Sequence, residues 1–192
     1  TDEIIRSFGD ILSNMNSKDA KDIYDFTKNS RIPHKKFKSQ LNAFSVVAYF
    51  LDDESFSYIW SDLYKKICDW IDDGEAAVAL GSEIYSTIEK IYLRISQDQL
   101  IHIICKSLTN KKRRFYDEIF KLIYRCVDPN LTANDNNKQK LIQCVSEVVA
   151  NSNERTNIRY LEPALFSLRK KYRNLTEELD TLIKIEMAEF YN

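Results

Sequence analysis

A chain of 192 residues with 44% hydrophobic and 30% charged side chains has the composition of an ordinary globular protein and is long enough to bury a real core, as one domain spanning residues 1–192. Three glycines and three prolines are too few for the frequent tight turns of a sheet protein, which excludes a hairpin-rich fold and favours long helices. No run approaches the roughly 18 uninterrupted apolar residues of a membrane span, and the opening TDEIIRSFGD lacks the basic-then-apolar layout of a signal peptide. The expectation is a soluble, cytoplasmic or nuclear domain. Because residue 1 is Thr, it reads as excised from a longer protein or as lacking its initiator.

Apolar side chains recurring every three to four residues predict helices at 18–29, 35–51, 56–71, 81–95, 97–108, 113–127, 136–150, 157–172 and 176–190, and no strand. In 56–71, for example, Phe56, Ile59, Trp60, Leu63, Ile67 and Ile71 fall on one helical stripe. Ser17, Asp98, Asn110 and Thr176 stand where N-caps are expected, and Asp72-Asp73-Gly74 and Asp128-Pro129-Asn130 where helices should stop. Pro163 should kink or restart its helix.

The helices at 81–95 and 113–127 are apolar around more than half their circumference, Ile84, Tyr85, Ile88, Ile91, Tyr92, Leu93 and Ile95 in the first, so each must be covered on two sides. Placing QLIHIICKSLTN, from Gln99, over KLIQCVSEVVAN, from Lys140, aligns Leu100 with Leu141, Ile101 with Ile142, Leu108 with Val149 and Asn110 with Asn151 at an offset of 41 residues. A period near 40 with two helices per unit is that of HEAT and armadillo repeats. The expected fold is all-α, an α-solenoid of four to five stacked antiparallel helix pairs, with a globular helical bundle as the alternative.

Chemical motifs are scarce. Cys68, Cys105, Cys126 and Cys144 are isolated within apolar helical patterns, which predicts buried, reduced thiols rather than a zinc site or disulfides. His34 and His102 lie far apart, and His102, in LIHIIC, reads as a packed or rim histidine. Without a phosphate loop, an HExxH pair or a nucleophile elbow, no catalytic, cofactor or metal site is expected.

Charge is distributed unevenly along the chain. From Ser39 to Ile95 four Lys/Arg face ten Asp/Glu, a balance of −6; from Gln99 to Arg173 fifteen face seven, a balance of +8. On a solenoid such segregation becomes spatial and can orient a partner. Two spots concentrate the positive charge. Lys111, Lys112, Arg113 and Arg114, followed by Phe115 and Tyr116, suit an RNA backbone or an acidic protein. Arg169, Lys170, Lys171 and Arg173 suit the same partners, or simply complement the C-terminal dipole of their helix.

Three stretches in chain order carry a family likeness: ILSNMNSKDAKDIYDF from Ile11, DESFSYIWSDLYKKI from Asp53 and ERTNIRYLEPALFSLRKKY from Glu154. Together they resemble the opening, central and closing elements of the middle domain of the eukaryotic translation initiation factor 4 gamma family. The chain departs from that pattern in having DDGEAAVALGSEIY where the family has an Arg-rich segment, and ELDTLIKIEMAEFYN in place of a Trp-containing tail. The resemblance implies a non-catalytic scaffold of HEAT type that binds a DEAD-box RNA helicase, another translation or RNA-processing factor, or RNA. In that family inter-helix loops receive the helicase. The turn at Asp52, Asp53 and Glu54, otherwise readable as solvated helix-end charge, thereby becomes the implied protein-docking edge.

Overall fold

The structure, a computed structural model, describes residues 14–29, 32–73, 77–110, 115–128 and 136–150. All regular elements among them are helical: α1 (Ser17–Phe26), α2 (Pro33–Val47), α3 (Asp53–Asp72), α4 (Ala77–Ile91), α5 (Gln97–Thr109), α6 (Tyr116–Cys126) and α7 (Asn136–Ala150), with short 3-10 turns at Thr27–Asn29 and Tyr92–Arg94. The helices expected at 157–172 and 176–190, the cap at Thr176 and the kink at Pro163 lie outside the described residues. The chain forms two compact units, Thr1–Lys66 and Ile67–Asn192, and the division falls within α3.

In the first unit, α1 begins at a capping box. Asn16 Oδ1 accepts from the Asp19 N–H at 3.0 Å, and the Asp19 carboxylate accepts from the Asn16 N–H, so two orphan donors are satisfied at once. Pro33 opens α2, where a missing N–H costs nothing. α1 packs on α2, burying Ala20 and Tyr24 against a face that carries Leu41, Phe44 and Val47. Phe44 is the hub. Its ring meets Tyr24 edge-on at 6.1 Å and lies 5.4 Å from Phe56 and 6.2 Å from Trp60 of α3, nearly parallel to the latter. Fully burying a side chain of this size contributes about 1.5–3 kcal/mol. The surface ion pairs Lys21–Asp25 and Lys66–Asp62 are solvent-screened, so the aromatic cluster decides stability here.

In the second unit α4 packs on α6, and α5 packs on both α6 and α7. α5 and α6 run antiparallel. Gln97, at the start of α5, donates to the carbonyl of Cys126 at the end of α6 and accepts from the Asp128 N–H. Alternate helices run in the same direction. Between α3 and α5, Cys68 Sγ lies 4.0 Å from His102 Nδ1 and Asp72 takes both Lys106 at 2.8 Å and Asn110 at 3.1 Å. Between α4 and α6, Tyr85 packs on Phe115 and Glu89 pairs with Arg125. Between α5 and α7, Asp98 binds Asn137 and Cys105 Sγ donates to the Lys140 carbonyl.

Several local expectations are corrected. Asn16, not Ser17, caps α1, because only Asn16 has an acidic residue three positions on to complete the box. Ser96, not Asp98, caps α5, its hydroxyl accepting from the Gln99 N–H at 3.2 Å, while Asn110 ends α5 instead of opening α6. The fourth helix starts at Ala77 and ends at Ile91, four residues before the expected end. In the 3-10 turn that follows, three residues per turn replace 3.6, which rotates Leu93 off the buried face to 72% exposure. Only Cys126 is buried; Cys68, Cys105 and Cys144 are half-buried.

Candidate docking edge

Of the residues implicated by sequence, Asp52, Asp53 and Glu54 are described and exposed; Lys111, Lys112, Arg113, Arg114, Arg169, Lys170, Lys171 and Arg173 lie outside the described residues. The three acidic residues do not share one role. Asp52 caps α3: Oδ1 accepts from the Ser55 N–H at 2.8 Å, and Oδ2 accepts from the Ser17 hydroxyl at 2.6 Å. Its own N–H donates back to Ser17 Oγ at 3.0 Å. This reciprocal pair fastens the turn before α3 to the first residue of α1. Asp53 and Glu54 occupy the first turn of α3, where the positive end of the helix dipole favours carboxylates.

One turn further along the same helix stands Tyr58, 70% exposed, and four residues beyond it Asp62. Glu54, Tyr58 and Asp62, spaced four apart, lie on one face and combine negative charge with an exposed ring. Such a stripe suits a basic protein segment that carries some apolar surface. The alternation around Tyr58 is its only sequence signal, since it falls off the Phe56–Ile59–Leu63 core stripe.

The Ser17 hydroxyl, followed by the donors at Ser55, holds the Asp52 carboxyl below its ordinary value of 3.8. A depressed carboxylate supplies stability that is present above the unfolded-state pKa and is lost as pH falls through the folded one, here below 3.8. The expected result of Ser17→Ala is therefore a rise of the Asp52 titration midpoint toward 3.8 in a carboxyl-detected NMR titration. An unmoved midpoint would show that the bond to Ser17 is not its cause.

In the second unit Glu89, Tyr92, Tyr124 and Arg125 line a surface groove beside the exposed Leu93. Among the described residues no group of three or more His, Cys, Asp or Glu side chains is placed to hold a metal ion, and no helix is long and apolar enough to cross a membrane.

No family model, curated protein or solved structure matches the chain.

Proposed function

We propose that this chain is a non-catalytic α-solenoid scaffold, cytoplasmic or nuclear, that holds a DEAD-box RNA helicase or a related translation or RNA-processing factor and also contacts RNA. The observation that carries the repeat reading is the pairing of alternate helices. Bonds between α3 and α5, α4 and α6, and α5 and α7 join residues 34, 36 and 39 apart, each between helices running the same way, while α5 and α6 are antiparallel. Helix hairpins stacked at a period near 40 produce that pattern, with contacts only between neighbouring units. Buried Leu100 and Ile104 of α5 stand 41 residues before buried Leu141 and Val145 of α7, in keeping with the offset in the sequence. The partner class rests on the resemblance to initiation factor 4 gamma middle domains.

The helicase would dock on the acidic edge. Removing the two charges in the first turn of α3, Asp53→Ala with Glu54→Ala, should lower helicase recovery in a pull-down about tenfold or more while Asp52 keeps its cap. Equal recovery would remove this edge. RNA would be held through its phosphates by Lys111, Lys112, Arg113 and Arg114. Reversing all four charges should abolish binding of single-stranded RNA in a filter assay at low salt, and an unchanged affinity would exclude that segment. A generic HEAT-type interaction domain of an unrelated complex is the second reading, favoured if no DEAD-box helicase binds.

A further inference from the structure

Large apolar side chains stand exposed mainly in the first unit. Ile23 and Phe26 of α1, Ile32 just before α2, and Val46 and Tyr49 at its end are all exposed, Phe26 at 78%. Such a cluster marks a surface that associates with something. α1 packs on α2, and the 3-10 turn that follows α1 packs on both helices, so Ile23, Phe26 and Ile32 gather at one end of the pair. Charge is sorted between the two helices. On α1, Asp19 and Asp22 share the exposed side with Ile23 and Phe26, at the three- and four-residue spacing of a single face. Lys18 tempers that acidity, while Lys21 and Lys28 pair with Asp25. On α2 the sign is opposite. Five Lys/Arg and no Asp/Glu occur between Asp25 and Asp52, and Lys35 and Lys38, three residues apart, are exposed on the helix. Lys35 also stands in the first turn, where the positive end of the helix dipole opposes it, so helix stability does not explain its position. No ion pair among the described residues engages Asp22 or Lys35.

We propose that this surface binds a second copy of the same chain, as a two-fold dimer in which α1 of each protomer lies on α2 of the other. Complementarity selects that occupant. RNA or an anionic membrane would be repelled by Asp19 and Asp22, and a purely basic segment by Lys35 and Lys38. A second copy offers its basic helix to the acidic one and its acidic helix to the basic one in the same encounter. Two-fold symmetry makes each contact twice: Asp22 of one protomer meets the partner's Lys35, and the partner's Asp22 meets Lys35. Ile23, Phe26 and Ile32 of both protomers supply the apolar centre, with the charges as its rim. The dimer does not rest on the helicase or RNA reading, since its surface shares no residue with Asp53, Glu54 or the Lys111 to Arg114 segment.

The test is the mass of the full chain by analytical ultracentrifugation, from about 1 to 100 µM at low salt. The wild type should rise to twice the 22.6 kDa of one chain and stop there. Phe26→Asp, at an exposed position that folding does not need, should weaken association by about tenfold or more. Asp22→Lys alone and Lys35→Glu alone should each weaken it by about tenfold as well, because both set like charges against each other twice. Mixing those two single variants should restore the dimer, since every pair in the mixed species is again opposite in sign; this also shows that both are folded. The chain carrying both substitutions should dimerise like the wild type. A wild type that stays monomeric throughout the range would overturn the proposal and assign the surface to a different protein. Growth beyond a dimer, or single variants that remain monomeric when mixed, would overturn the two-fold exchange of α1 and α2.

Discussion

Replacing Phe44 with alanine should cost the first unit about 3–5 kcal/mol, the range for removing a large ring from a closed core. Phe44 has no exposed surface and stands among Tyr24 of α1 and Phe56 and Trp60 of α3. None of these can collapse into the gap without abandoning its own packing, so most of the cavity persists. Edge-to-face and stacked ring contacts add about 0.5–1.5 kcal/mol each beyond area alone. Phe44→Leu keeps much of the volume and should cost less than half as much. Urea titration followed by the fluorescence of Trp60 reads both, and the midpoint should fall with the slope unchanged. A loss under about 1 kcal/mol for alanine would mean that Phe44 is not the hub of this core.

The second large effect concerns Gly81, inside α4. On propensity alone, alanine there should stabilise the helix by about 1 kcal/mol. Space forbids it. A Cβ on Gly81 would lie 2.3, 2.5 and 2.6 Å from the outer carbons of the Phe115 ring, far inside van der Waals contact. Phe115 is itself buried and packed at 5.8 Å on Tyr85, so the ring cannot swing away freely. Overpacking of this kind costs about 1–3 kcal/mol. We expect Gly81→Ala to be destabilising on balance, lowering the melting temperature by several degrees, and Gly81→Val to lower it further. The combination Gly81→Ala with Phe115→Leu should recover part of the loss, a non-additivity that identifies the clash. A melting temperature raised by Gly81→Ala would show that α4 and α6 are farther apart than the structure places them.

Gly81 also shows where sequence reasoning reached its limit. The helix expected to begin at 81 begins at Ala77 and runs through Gly81, whose missing side chain makes room for a ring 34 positions away. Periodicity placed two helices closely, 136–150 agreeing with Asn136–Ala150 and 97–108 falling one residue short of Gln97–Thr109, whereas the helix expected at 35–51 ends at Val47 and the one expected at 113–127 begins at Tyr116. Local choices between adjacent polar residues were less legible. Asn16 and Ser17 both suit a cap, and Ser17 is instead engaged with Asp52, 35 residues on. That long-range bond also divides the acidic turn into a structural Asp52 and a dipole-facing Asp53 and Glu54, a distinction no composition argument could draw. The cysteines were misjudged for a similar reason: an apolar helical pattern predicts burial, but Cys68, Cys105 and Cys144 are only half-buried.

The scaffold reading is tested most directly by the RNA-dependent ATP turnover of purified DEAD-box helicases titrated with this chain. A true partner should show turnover that rises several-fold and saturates, and the rise should be lost with Asp53→Ala and Glu54→Ala. Flat turnover across a panel of such helicases, with the chain folded and in excess, would contradict it.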